Sequence, residues 1–354
     1  MTDILSPPAP ASPPPTGQGR PGGGSPRSHL ARLLVGNQVQ QAVHVAARLG
    51  IADLLADGPR PVDALARDAG ADPHALHRLL RALAAFGLFA EAADGRWALT
   101  PAADLLRRGA RGSMRAFALW SGGVSYRVFG ALEHTVRTGQ PAFEHLFGAE
   151  FFAYLGDHPG DGAVFDEMMA GNTAGVAALV AARDFSAART VVDVGGGRGE
   201  LLAAVLRAHP HLRGVLVEHP RLAEAAREWL RAAGLAGRSA VFEGDVLEAV
   251  PSGGDVYVLK SVLHGLDDAA AARALARCRA AMEPGKTLLL VEMVLPPGTD
   301  PHPARLMDLL MLVGCHGRER GEDEYRALLR SAGFRLDAVE HTPYGYSVMM
   351  AEAG

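Results

Sequence analysis

Three short stretches put chemically useful side chains at the ends of apolar runs, where a β-strand would hand them to a cleft. In VVDVGGGRGE, Asp193 is followed by glycines at 195, 197 and 199 (Gly195, Gly197, Gly199). Glycines after a strand let a ligand approach the backbone and the N-terminus of the next helix. The spacing is G-x-G-x-G, not the G-x-G-x-x-G of dinucleotide enzymes, and an aspartate precedes it. That carboxylate would repel a pyrophosphate and attract a cationic ligand. S-adenosylmethionine (SAM) carries a sulfonium and an ammonium and no phosphate, so the loop favours SAM over NAD. Glu218 ends GVLVE, about 20 residues further on, where an acid takes both ribose hydroxyls in doubly wound folds. EGD ends a third apolar run and places Asp245 where it can accept from an adenine amino group.

The next run, YVLKSVLHGLDD, delivers His264 just past a strand end. An imidazole titrates near pH 6.5, which suits a base working at neutral pH. Lys260 precedes it, one of only two lysines among 35 basic residues, so a compact cation is expected beside the cofactor. Glu292 ends LLLVE, and Glu319 lies in GRER beyond the apolar run ARLMDLLMLV. A carboxylate beside a histidine holds its tautomer and stabilises the imidazolium. Spacing alone does not show that either glutamate reaches His264. The two cysteines, Cys278 and Cys315, form neither a disulfide scaffold nor a CxxC pair, and no metal site is expected.

The elements that must carry these residues follow from pattern. From Thr190 onward the chain alternates strands and helices: TVVDV, GVLVE, AVFEG, DVYVLK, TLLLVEM, RLDAVE and YSVMMAE. The last two are joined only by HTPYG, as an antiparallel pair would be. Seven strands with a terminal reversal predict an α/β fold, a doubly wound sheet spanning 186–354. Residues 101–185 read as helical and rich in bulky apolar side chains. Before them, 29–100 read as a helix ending on Gly50, a short helix before a turn at Gly58-Pro59, helices at 62–69 and 73–86, the latter capped by Asp72, and a hairpin turning at Asp94-Gly95, which together make a winged helix. Seven arginines face seven acids there, so the basic surplus that phosphate binding needs is missing. A packing or dimerisation module is expected, with a DNA-binding, ligand-sensing regulator as the rival. Residues 1–28 hold eight of the 23 prolines and should form a disordered tail.

With 354 residues, 48% apolar and 21% charged, the chain can bury a sizeable core, and a net charge of −4 offers no field for nucleic acid. No run of 18 apolar residues and no secretory leader are seen, so a cytoplasmic protein without a membrane span is expected.

Taken together, DVGGGRGE, GD after the third strand, LKSVLH..DD, VE..LP and MDLLML…GRER…EYRALLRSAGF resemble the caffeic-acid-type, SAM-dependent small-molecule O-methyltransferases of plants and antibiotic-producing bacteria. VRTGQPAF, FFAYL..HP and FDEMM extend the likeness, which covers about residues 30–352. The resemblance implies a class I SAM methyltransferase sheet behind an N-terminal, mostly helical winged-helix dimerisation domain, and a homodimer. It implies SAM as methyl donor, S-adenosylhomocysteine (SAH) as product, and a small phenolic or other aromatic acceptor. On that likeness the loop from Asp193 to Gly199 takes the methionine part. Glu218 takes the ribose, Asp245 with Val246 the adenine, and Lys260 lies beside them. His264 is the base that Glu292 and Glu319 flank. Phe129, Phe165, Met169, Met307 and Met311 line the acceptor pocket, with Asp308 close by. The chain departs from the pattern at Gly265-Leu266, where Asp-Trp is usual. It departs also at Phe129 for a pocket Trp, at His219 before Pro220, and at Gly321 for a Thr. Some relatives on the fold methylate carbon or nitrogen, or carry out hydroxylation or ring-forming rearrangement; an intact His264 set argues for oxygen.

Overall fold

The computed structural model describes residues 25–343 and 345–354. The stretch read as a disordered tail lies outside the described residues as far as residue 24. Its last residues instead open helix α1 (Pro26–Leu34), where the Ser25 hydroxyl accepts the Ser28 amide at 3.2 Å. A serine before a proline starts a helix readily, because proline's missing amide hydrogen costs nothing in the first turn.

Helix α2 (Gly36–Arg48) ends at Gly50, whose φ of +66° turns the chain into α3 (Ile51–Leu54). Strand β1 (Arg60–Pro61) leads into α4 (Val62–Ala69). Helix α5 (Pro73–Ala84) is capped as its sequence suggests, the Asp72 carboxylate accepting the Ala75 amide at 2.8 Å. Strands β2 (Ala90–Glu91) and β3 (Arg96–Ala98) make the expected hairpin, and β1 adds to its other edge, giving the order β1-β3-β2. Two residues containing a proline show no periodicity, so β1 was invisible to pattern. Ile51, Leu65, Leu80 and Trp97 fill the core of this winged-helix unit.

A helical region follows: α6 (Pro101–Asp104), α7 (Arg115–Trp120), α8 (Tyr126–Gly130), α9 (Leu132–Thr138), α10 (Ala142–Phe147), α11 (Phe151–Asp157) and α12 (Pro159–Ala181). Between α7 and α8 the segment Ser121–Ser125 kinks at Gly123, whose φ of −98° and ψ of −105° are not helical. Gln40 and Gln41 of α2 donate to the freed carbonyls of Ser121 and Gly122 at 3.0 and 2.9 Å. The long helix α12 joins two cores. Met168 packs with Trp120, Phe143 and Tyr154, while Val176 and Val180 pack on the sheet.

The sheet comprises β4 (Thr190–Val194), β5 (Arg213–Glu218), β6 (Ser239–Glu243), β7 (Val256–Lys260), β8 (Thr287–Glu292), β9 (Phe334–His341) and β10 (Ser347–Ala353). Its order is β6-β5-β4-β7-β8-β10-β9, with β10 antiparallel to both neighbours and the other pairs parallel. Val191, Leu216, Val258 and Val291 face one way, towards α12, α13 (Glu200–Ala208) and α14 (Pro220–Ala232). Val192, Val217, Leu259 and Leu290 face the other, towards α15 (Asp268–Ala281) and α17 (Glu322–Ser331). Burial on both faces explains why these strands read as continuous apolar runs. Helix α16 (Pro303–Gly314) crosses to the helices α7–α12, its Leu310 and Val313 joining their aromatic cluster. The order reverses at β4–β7, so a crevice opens at the C-terminal ends of those two strands. Among the described residues no helix is long and apolar enough to cross a membrane.

Candidate active site

The glycine loop follows β4 at that crevice. Gly195, Gly197 and Gly199 all have positive φ (69°, 63° and 91°), and α13 starts directly after them. A Cβ on Gly197 would meet nothing within 4 Å, so its backbone faces open space. Asp193 lies beneath the loop and is fully buried. Neither of its carboxylate oxygens makes a hydrogen bond of ordinary geometry, the Leu202 amide giving only a minor pull on its pKa. Burial pushes its pKa up to about 7, against the pull of Lys260. Glu218, at the end of β5, accepts the Gly197 amide at 2.7 Å and the His219 amide at 2.8 Å, and burial raises it to about 6. Lys260 ends β7, is 8% exposed, donates to the Ser261 hydroxyl at 3.3 Å and lies 5.3 Å from the Tyr346 ring centre. Burial lowers its pKa, while Glu292, Asp193 and Glu200 work against that. Asp245 is exposed after β6, with one oxygen on the Leu247 amide at 2.8 Å, and Val246 beside it is half-buried.

A buried carboxylate with neither oxygen in an ordinary hydrogen bond lacks a counterpart. Placed under an open glycine loop at a strand end, it fits a ligand bearing an ammonium or sulfonium. Glu218 one strand away has its oxygens on backbone amides that a vicinal diol can join. The residues present therefore fit SAM. Among the described residues no group of three or more His, Cys, Asp or Glu is arranged to hold a metal ion.

His264 sits on a single 3-10 turn, Leu263–Gly265, just beyond β7. Its Nδ1 is 2.8 Å from Glu319 Oε1, with 14% of the imidazole side chain and none of the glutamate's exposed. A carboxylate only accepts, so Nδ1 carries the proton and, in the neutral ring, Nε2 keeps its lone pair. Burial pulls the His264 pKa down, but Glu292 and the bond to Glu319 outweigh it and leave it raised. Glu292, fully buried at the end of β8, does not hold the ring. Its Oε1 accepts the amides of Val262 and Leu263 at 3.0 and 2.8 Å and so shapes the turn. Burial raises its pKa despite His264. One oxygen of each glutamate is left without a partner.

Three further features were not recognised from sequence. Arg320, 1% exposed, donates to the carbonyls of Leu263 and Leu266, both at 2.8 Å, and to Asp268 at 2.9 Å. Glu319 thus fixes the imidazole while its neighbour fixes the backbone on either side. Gly317 lies against the same turn, and a Cβ there would fall 2.1 Å from the His264 carbonyl oxygen. Asp308, expected near an acceptor polar group, spends Oδ1 on the Glu319 amide at 2.9 Å. GRER contained the signal for Arg320: an arginine beside a buried acid. Nothing local distinguishes Gly317, or shows that Asp308 bonds the Glu319 amide rather than an acceptor.

On the acceptor side, Phe129, Phe165 and Met169 pack partly buried against the aromatic cluster, Phe165 lying 5.1 Å from Trp120 between ring centres. Met307 and Met311, one turn apart on α16, are half-buried on the helix that also carries Asp308. At the departures, a Cβ on Gly265 would meet nothing, and Leu266 supplies its carbonyl to Arg320. His219 caps α14, its Nδ1 accepting the Arg221 amide at 3.3 Å.

Comparison with known proteins gives two family matches: an O-methyltransferase domain over residues 129–335 and an O-methyltransferase dimerisation domain over residues 31–109. A phenazine O-methyltransferase of Lysobacter antibioticus, PhzM, is 43% identical over 325 residues, covering 92% of this chain and 95% of that protein. The crystal structure of LaPhzM superposes with a TM-score of 0.90 at 43% identity, over 93% of this chain and 99% of that one. NcsB1 from neocarzinostatin biosynthesis, solved with SAM and 2-hydroxy-5-methyl naphthoic acid, has a TM-score of 0.79 at 36% identity, over 92% and 98%.

Proposed function

Since the chain belongs to the bacterial natural-product O-methyltransferases and is SAM-dependent, we propose that it methylates a phenolic hydroxyl of a planar aromatic natural product as a cytoplasmic homodimer. The observation that carries the reading is the Glu319–His264 pair at 2.8 Å, which leaves a bare Nε2 at the cofactor crevice. SAM, when bound, supplies an electrophilic methyl group on its sulfonium. Asp193 and the Gly195–Gly199 loop hold the methionine part, Glu218 the ribose, and Asp245 with Val246 the adenine. Lys260 balances Asp193 and Glu292. His264 Nε2 takes the proton of the acceptor hydroxyl, and Glu319 stabilises the imidazolium that results. Glu292 and Arg320 keep the turn in place, so the ring meets the hydroxyl without searching. Phe129, Phe165, Met169, Met307 and Met311 form an apolar slot suited to a flat ring, and the second oxygen of Asp308 is available to a polar group on it.

Residues 29–100 form the dimerisation unit. On α1, Leu30, Leu33 and Leu34 are 55%, 65% and 68% exposed, an apolar stripe that a second copy would cover. The proposal is tested by incubating the full-length protein with methyl-labelled SAM and a panel of planar phenols, including 1-hydroxyphenazine and 2-hydroxy-5-methyl naphthoic acid. Mass spectrometry then locates the label. An O-methyl ether is expected; label found only on carbon or nitrogen would overturn the proposal.

A further inference from the structure

Arg221 is the second residue of α14, three positions after Glu218, and its guanidinium reaches across to α12. There it grips Asp166 with both ends: Nη1 to Oδ2 and Nη2 to Oδ1, each at 2.9 Å. The two side chains are only 20% and 13% exposed, so water screens the pair less than it screens a surface ion pair. The partner helix makes room for it. One turn before Asp166 stands Gly162, where a Cβ would lie 3.3 Å from Arg221 Nη1 and 2.9 Å from the Leu155 carbonyl. On the other side, the Arg221 amide is held by His219 Nδ1. The His219 amide is held by Glu218, which also takes the Gly197 amide of the cofactor loop. A path of hydrogen bonds, linked through the His219 and Arg221 side chains, thus runs from the glycine loop to Asp166. Asp166 adjoins Phe165 and precedes Met169 by less than one turn, two residues of the acceptor wall.

We infer that Arg221 and Asp166 are positioning residues that register α12 against the ribose end of the cofactor crevice, so that cofactor binding sets the acceptor wall. The inference rests on the reading of Glu218 as the ribose ligand. Bidentate geometry is what suits the pair to this: two parallel bonds fix an angle as well as a distance, which one ammonium on a flexible stem does not. A ligand that draws Glu218 off the Gly197 amide shifts the start of α14, and Arg221 passes that shift to the helix bearing Phe165.

Hydrogen exchange on the full-length protein tests this without knowledge of the acceptor. SAH added to wild type should slow exchange in peptides covering 159–172 as well as in the glycine loop. In Asp166→Asn and in Arg221→Gln, the SAH-dependent protection of 159–172 should fall at least twofold. Loop protection should persist, and the SAH dissociation constant should change less than threefold. Arg221→Lys should behave like Arg221→Gln, and the swap Asp166→Arg with Arg221→Asp should restore protection if the single variants melt early. Equal protection in variants and wild type would overturn the inference. So would a parallel loss of SAH affinity, which would make the pair a cofactor clamp only. If wild-type SAH binding gives loop protection but Glu218→Gln binds SAH normally, the ribose reading fails instead.

Discussion

Replacing His264 by glutamine tests the acid–base reading at its centre. Glutamine keeps a polar side chain in the space between the turn and Glu319 but takes no proton at neutral pH. A phenol with a pKa near 10 is ionised to about one part in a thousand at pH 7, a cost of about 4 kcal/mol at 1.36 kcal/mol per pH unit. A base that removes this cost entirely contributes about 10³-fold, inside the range of roughly 10² to 10⁴ for general base catalysis. The structure supplies the pH dependence. The carboxylates of Glu292 and Glu319 overcome burial and hold the His264 pKa above its usual 6.5. Only the neutral ring is a base, so wild-type single-turnover transfer to a phenol that the labelling panel identifies as acceptor should rise through that raised pKa and level off above it. The variant should instead gain about tenfold per pH unit as the acceptor ionises by itself. Its deficit should shrink from about 10³-fold at pH 7 to about tenfold at pH 9. SAH affinity by calorimetry should stay within twofold of wild type, since the proposed role of the imidazole is toward the acceptor and not the cofactor. A wild-type rate at pH 7 would refute the reasoning, and so would a deficit that persists unchanged to pH 9.

Gly317→Ala places a methyl where only 2.1 Å separates it from the His264 carbonyl oxygen, so the catalytic turn must move; kcat should fall at least tenfold while SAH still binds, and unaltered kcat would show that the turn tolerates displacement. Asp193 has a folded pKa of about 7 against an ordinary 3.8, so its contribution favours folding at low pH and is lost as pH rises from about 4 through 7. Asp193→Asn should therefore raise the melting temperature of the ligand-free protein at pH 8 more than at pH 5, and weaken SAM binding; scanning calorimetry showing no pH-dependent difference would count against it. Arg320→Met strands the carbonyls of Leu263 and Leu266, about 1–3 kcal/mol for each group left unpaired, so urea unfolding should give a midpoint clearly below wild type, and an unchanged midpoint would show that water replaces the guanidinium. Light scattering at tens of micromolar should give a dimer mass, and Leu33→Asp with Leu34→Asp a monomer; a monomeric wild type would remove the role given to α1.

What the sequence makes readable are the residues whose partners are nearby in the chain or set by strand period. The sheet is visible because its strands, buried on both faces, read as apolar runs, and because HTPYG is too short for anything but an antiparallel return. The caps at Asp72 and Gly50 are readable since a helix end is a local event. Strand β1 is not, because its only evidence is pairing with Trp97, almost 40 residues away in sequence. Nor is the kink at Ser121–Ser125, where two glutamines 81 residues upstream satisfy the freed carbonyls.

The site divides along the same line. A side chain at a strand end is placed by the sheet, so Asp193, Glu218, Lys260 and Glu292 could be named from where their runs stop. What each one touches depends on loops returning from elsewhere. Glu292 and Glu319 look equivalent as acids flanking a histidine, yet one shapes the backbone of the turn and the other holds the ring. Asp308 shows the limit most plainly. The family resemblance implies acceptor binding for it, but its Oδ1 holds the amide of Glu319, so on the proposed reading it acts on His264 through the residue that orients it. Helix α16 and Glu319 are therefore joined by one hydrogen bond. An acceptor group that competes for Asp308 would disturb Glu319, and through it His264. On the proposed reading, selection of the acceptor and activation of its hydroxyl are then coupled: a substitution at Asp308 made to change specificity should also shift the pH dependence of kcat.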